Sequence, residues 1–264
     1  LSPVKYEPGL QHFLKPLKIA ESIHDKTGVA NSYIGLGNVY LYMSDNDKGL
    51  DYYFKALSIQ EEINDQRGAS ASISNIAIVY TNQGNFEKAI EYHLKSMKID
   101  ESLGYQIGVA QTLTNIGVVY YEQKDFKKSL EYFTKSLEAY NMAGEQRGVA
   151  NSTNNIGTVY VEMKNYSKAL ECHKKSLEVA SSIGADDIIR NCYRDFSNTY
   201  YEMKDYKNAY QYHKFYSGMK DTLLNQESTK QIAEMQTKYD TEKKEQQIIL
   251  LTKPLCTISA EVKL

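Results

Sequence analysis

Tryptophan is absent from the 264 residues, and proline occurs four times, three of them within the first sixteen positions. Proline lacks a backbone donor and clashes inside a helix, so its scarcity leaves the long middle of the chain free to be helical. There is no run of 18 apolar residues, the minimum for a membrane-spanning helix. The three cysteines, Cys172, Cys192 and Cys256, are too few and too scattered for a disulfide framework. Neither sign of charge dominates: the net charge of −2 supplies no basic field to hold nucleic acid or an anionic membrane. The chain opens on Leu1 with no basic-then-apolar leader, which reads as a processed product or a cloned fragment.

Tyrosine, by contrast, occurs 23 times, and its spacing carries the main signal. Tyr40, Tyr80, Tyr120, Tyr160 and Tyr200 stand forty residues apart. Three residues before each is a small residue: Gly37, Ala77, Gly117, Gly157 and Ser197. Gly28, Gly68, Gly108 and Gly148 recur in the same register and are taken as the repeat boundaries. In the fourth copy, Ile156, Val159, Tyr160 and Met163 follow a three-four spacing, so a first helix is expected over roughly 149–163. Leu170, His173, Ser176 and Leu177 define a second helix over roughly 166–183. The short link Lys164-Asn165 makes the two antiparallel neighbours.

One such hairpin cannot bury its own apolar stripe, but a stack of them can. The expected fold is therefore all-α, a right-handed superhelical solenoid of antiparallel hairpins. Small residues such as Gly157 and Ala169 are expected at the helix crossings, with Tyr160 and Tyr166 filling the space around them. The expected organisation is a half repeat or cap at 1–27, repeats at 28–67, 68–107, 108–147 and 148–187, and a degenerate fifth at 188–227. A helical connector or cap at 228–252 and a tail at 253–264 follow. Pro16 is expected to kink or shorten the helix of the half repeat.

The residues "NNIGTVYVEMKNYSKALECHKKSL" at 154–177, with their four relatives, resemble the tetratricopeptide repeat family over about residues 6–217. The forty-residue unit is similar to the variety found in spindle-orientation scaffolds, kinesin light chains and Rap-type receptors. That resemblance implies a fold that binds peptides or protein segments; in the residues themselves no Ser/His/Asp or Cys/His constellation stands out from the repeat packing, so no catalytic centre is expected. The segment "AEMQTKYDTEKKEQQIILL" at 233–251 resembles the connector that follows such repeats in bacterial membrane-bound sensor kinases. It implies the sensory part of a larger signalling protein, cytoplasmic or periplasmic.

If Gly157 and its equivalents face the core, helical geometry turns other first-helix positions toward a concave groove. Asn31, Asn38, Asn75, Asn115, Tyr121, Asn151, Asn154, Asn155, Thr158, Arg194, Asn198 and Tyr201 are the candidate binding residues. Amides both donate and accept, which suits the backbone of an extended peptide. Asn75, Asn115 and Asn155 recur at the flank, where they serve either a ligand or the neighbouring hairpin. Arg194 suits either a ligand carboxylate or an ion pair with Asp195. His93, His173 and His213 share one position in successive hairpins, too far apart to converge on one metal ion. They are read as packing residues, and Lys55, Lys95, Lys135 and Lys175 as a solvated face. No cofactor, metal or nucleic-acid partner is expected. The alternative to a peptide groove is self-assembly, a homodimer formed through 228–252.

Overall fold

A computed structural model describes residues 7–219 of the chain. Among them the secondary structure is entirely helical. Helix α1 spans Glu7–Ser22, α2 Lys26–Tyr42, α3 Asn46–Glu62, α4 Gln66–Asn82 and α5 Phe86–Ser102. Helix α6 spans Gln106–Glu122, α7 Phe126–Ala143, α8 Gln146–Glu162, α9 Tyr166–Ser182 and α10 Asp186–Glu202. Helix α11 covers residues 206–219. The proposed connector at 228–252, its pairing between chains and Cys256 lie outside the described residues.

The backbone repeats at half the period of the sequence. Residues with positive φ fall at His24, Ser44, Asn64, Gly84, Gly104, Lys124, Gly144, Lys164, Gly184 and Lys204, one every twenty positions. Each ends a helix in the left-handed conformation, which lets the chain reverse within two or three residues. The next residue caps the following helix. Asp25, Asp45, Asp65, Asn85, Asp125, Glu145 and Asn165 each accept a hydrogen bond from the backbone N–H three positions on. Tyr105 and Ala185 supply no such side chain.

These caps move the helix starts ahead of the expected ones. Helix α8 begins at Gln146, because the Glu145 carboxylate captures the Gly148 N–H. Gly148 therefore lies inside the first turn. It is small because Tyr140 of the preceding hairpin packs on it, and a Cβ there would run into the ring. Pro16 sits within α1 and does not shorten it; the helix ends at Ser22, the position equivalent to Glu62 and Ser102. Leu17 and Ala20 are buried just past the proline, so packing outweighs the lost hydrogen bond.

Even-numbered helices α2 to α10 alternate with odd-numbered ones, and each helix packs on its sequence neighbours. The crossing within a hairpin is made by a small residue under a ring. Gly37 lies under Tyr53, Gly117 under Phe133 and Gly157 under His173, each so close that a Cβ would meet the ring within 2.6–2.8 Å. The ring over Gly157 thus belongs to His173, and the expected tyrosines stand further out. Tyr40 packs against Tyr52, Tyr80 against Tyr92, Tyr120 against Tyr132 and Tyr200 against Tyr212, with centroids 5.3–5.5 Å apart. Lys48, Lys88 and Lys128 lie 5.0–5.1 Å from the first ring of the first three pairs. Lys55, Lys95, Lys135 and Lys175 each pair with the carboxylate four residues earlier, at 2.6–2.8 Å.

Buried serines hold the layers in register. Ser96, Ser136 and Ser176 of α5, α7 and α9 donate to the carbonyls of Ser70, Ala110 and Ala150, at 2.7–3.0 Å. Ser136 also meets Ser152 of the next hairpin at 3.0 Å, and the Cys192 thiol donates to Ser176 at 3.2 Å. Burial raises the Cys192 thiol to about 11, and both Cys172 and Cys192 are free thiols. No helix among the described residues is long and apolar enough to cross a membrane.

Candidate peptide-binding face

The curvature of the stack decides which helices can hold a ligand. Helix α4 meets α6, α6 meets α8 and α8 meets α10, although a whole helix separates each pair in sequence. Successive odd-numbered helices make no comparable contact among the described residues. The even-numbered helices are therefore crowded together on the inner side of the curve, and the odd-numbered ones fan apart on the outer side.

Two clefts open on the inner side. The first, about 270 Å³, lies between α4 and α6. Ser74, Asn75 and Ile78 line it from α4, and Gln111 and Asn115 from α6. Its floor is a buried polar cluster in which Ser70 Oγ donates to Asp100 Oδ1 at 2.7 Å. Burial pushes the Asp100 carboxyl above the usual range, and the Ser70 bond and the Arg67 charge only partly offset this. The Arg67 guanidinium lies 4.3 Å from the Tyr105 ring centroid at the cleft's end.

The second cleft, about 410 Å³, lies among α6, α8 and α10. Tyr121, Thr158, Glu162, Asn198, Tyr201 and Glu202 form its walls, and His173 and Asp195 its floor. The Tyr121 hydroxyl donates to Glu162 Oε1 at 3.1 Å. Burial first and the Glu162 charge second push that phenol up to about 12. His173 is fully buried and held down to about 4, because desolvation penalises the charged imidazole.

The clefts gather half of the candidate residues. Asn75 and Asn115 fall in the first; Tyr121, Thr158, Asn198 and Tyr201 fall in the second. Asn31, Asn38 and Asn151 are exposed on their helices outside both clefts, and Asn38 Oδ1 accepts from the Tyr53 hydroxyl at 2.6 Å. Asn155 is half-buried and also outside both. Asn154 lies in the core, 6% exposed, instead of on the groove wall. Its amide donates to Asp195 Oδ2 at 2.6 Å, and its Oδ1 stands 2.8 Å from His173 Nδ1. Arg194 is exposed and pairs with Asp195 at 2.8 Å, the ion pair weighed against a ligand carboxylate in the sequence.

A structural use for the recurring flank position is visible at two junctions. Asn115 donates to Ser74 at 3.3 Å, and Asp195, forty residues after Asn155, accepts from Asn154. Periodicity alone reads His173 as packing and Asp195 as a partner for Arg194. The signal that would bring them together is the forty-one-residue offset linking positions 74 with 115 and 154 with 195. Of the three equivalent histidines, His93 and His173 are buried and His213 is exposed. Among the described residues no group of three His, Cys, Asp or Glu side chains is placed to hold a metal ion.

This geometry defines a class, the helical-repeat scaffold with a concave face of alternate helices. Models of the tetratricopeptide repeat match residues 30–63, 69–142 and 148–214, and the chain belongs to the tetratricopeptide repeat family. Among solved structures, it is similar to BtubC from P. vanneervenii (TM-score 0.66, 18% identity, 83% of this chain and 92% of that one). It is also similar to a Rap protein complexed with competence and sporulation factor (0.63, 16%, 84% and 72%). A third similar structure is a signal transduction ATPase with numerous domains, bearing a tetratricopeptide repeat sensor, from Pyrococcus horikoshii (0.60, 19%, 82% and 34%). The chain spans about a third of that last protein. At these identities the likeness is one of fold. No curated protein matches the sequence.

Proposed function

We propose that this chain is a non-catalytic scaffold that captures an extended peptide or protein segment along the face of α4, α6, α8 and α10, as the sensory or interaction part of a bacterial signalling protein. The observation that carries the reading is that two clefts lined by amide, hydroxyl and aromatic side chains open on the face where alternate helices converge. Asn75 in one cleft and Asn198 in the other make no side-chain hydrogen bond among the described residues, so both amides are available to a peptide backbone. The Rap protein with its bound factor and the ATPase with its repeat sensor lend support to the signalling part.

A displayed library of random twelve-residue peptides, selected on the purified chain and then titrated, tests the reading. Each amide hydrogen bond contributes about 1 kcal/mol net, so Asn75→Ala and Asn198→Ala should each weaken a selected peptide about five-fold. Selected peptides whose affinity ignores both substitutions would place binding elsewhere and overturn the proposal.

A further inference from the structure

The floor of the second cleft carries an unmet acceptor. The Asp195 carboxylate can only accept, so the Asn154 atom 2.6 Å from it is the amide nitrogen. The Asn154 oxygen is therefore the atom 2.8 Å from His173 Nδ1, and Nδ1 must carry the imidazole hydrogen. That leaves Nε2 of a fully buried ring as a bare lone pair with no hydrogen-bond partner. Buried polar atoms are nearly always satisfied, so a donor is what this floor lacks.

The walls call for the same chemistry. Glu162 and Glu202 are the last residues of α8 and α10, so the carboxylates stand at helix C-termini, where the backbone dipoles also favour a cation. Neither helix has a basic residue in its last turn. Glu162 accepts only from Tyr121, and Glu202 has no hydrogen bond or ion pair among the described residues. Lys164 is the cation among the lining residues and pairs with neither glutamate. Arg194 pairs with Asp195 and with neither glutamate. Tyr121 and Tyr201 add ring surface, and Tyr201 is 62% exposed.

A guanidinium suits this combination. Its fork of five donors matches carboxylates, and its plane stacks on a phenol ring. An acidic side chain would face acceptors with few donors to meet it. The first cleft offers no such set, because its carboxyl, Asp100, is buried beneath Ser70 and Arg67 stands at its end. We propose that the cleft among α6, α8 and α10 is a subsite for an arginine side chain of the bound segment. This rests on the peptide-binding reading above.

The test is the same twelve-residue library selected in parallel on the wild-type chain, the Glu162→Gln/Glu202→Gln double variant and Asn75→Ala. The proposal expects arginine enriched about ten-fold at one position on the wild type and on Asn75→Ala, and at background on the double variant. In the best peptide, Arg→Ala should weaken binding about ten-fold, and Arg→Lys should recover only part of that. Circular dichroism confirms that the double variant is folded, as expected for two wall residues outside the core. Binders without arginine enrichment, or with enrichment that survives the double substitution, would overturn the arginine subsite and leave the peptide groove standing. A library that yields no binder would overturn both.

Discussion

Both clefts are built from the same forty-residue repeat, but they open at different positions along it and their floors are built differently. In the first, Asp100 is a buried carboxyl answered by the Ser70 hydroxyl of the same hairpin. In the second, Asn154 stands between the carboxylate of Asp195 and the imidazole of His173, joining two hairpins through one chain of bonds. The same pair of positions links hairpins in both clefts, as a part-buried bond from Asn115 to Ser74 at 3.3 Å in the first and as a buried bond from Asn154 to the Asp195 carboxylate at 2.6 Å in the second. The position that decides is 74, 114 or 154, where Ser, Thr and Asn differ in reach.

Breaking the linked floor should cost the most. Asp195→Ala leaves the buried Asn154 amide without its acceptor and Arg194 without its partner, an expected loss of about 3 kcal/mol in urea unfolding. Asp100→Asn in the first cleft removes a carboxyl that burial already disfavours, so stability at neutral pH should change by less than about 1 kcal/mol. Equal losses would mean that the two floors do not differ in kind.

Acid should act on the fold through its two buried histidines. His93 and His173 are each held at about 4 against an ordinary 6.5, so the unfolded chain binds more protons between those values. Stability is then fully present above about pH 6.5 and falls as the pH drops, by up to about 2 kcal/mol per histidine at pH 5. Asp100 works the other way: its raised carboxyl favours the folded state as the pH falls through its folded range. His93→Phe, which copies Phe133 at the equivalent position, should remove one histidine's share of the acid sensitivity without a neutral-pH penalty. His173→Phe should remove a similar share but lose the Asn154 bond, a cost of about 1 kcal/mol at pH 7. Unfolding curves of the two variants at pH 7 and pH 5 separate these outcomes.

The turns of the two hairpins differ as well. Gly84 makes the left-handed turn of the first cleft's hairpin α4–α5, whereas Lys164 makes that of α8–α9 at φ 59°. Lys164→Gly should raise stability by about 1 kcal/mol, read as a higher melting temperature. It should also tighten an arginine-bearing peptide, since a cation leaves the cleft lining. The smallest effect belongs to the outer face: Lys135→Ala breaks an exposed pair with Glu131 and should change stability by less than about 0.5 kcal/mol.

The fold was legible because packing repeats its demands. Gly37, Gly117 and Gly157 each yield to a ring, so the forty-residue period had to appear in residue type. The twenty-residue period of the backbone was hidden, because Lys124, Lys164 and Lys204 do not announce a left-handed turn as glycine does. Gly148 suggested a boundary, but it marks close approach by Tyr140 within a helix that Glu145 had already started. Helical geometry gave the face of α8 but not its depth, which left Asn154 on the groove wall when its amide is buried between hairpins. The floor of the second cleft depends on partners forty-one residues apart, a pairing that no local pattern states.

The most direct measurement is photo-crosslinking of a library-selected peptide carrying a benzophenone at successive positions, with the adducts mapped by mass spectrometry. Adducts confined to α4, α6, α8 and α10, progressing from Ile78 toward Tyr201 as the label moves, are the predicted result. Adducts on α5, α7 or α9, around Lys95, Lys135 or Lys175, would show that the outer face binds and would contradict the account.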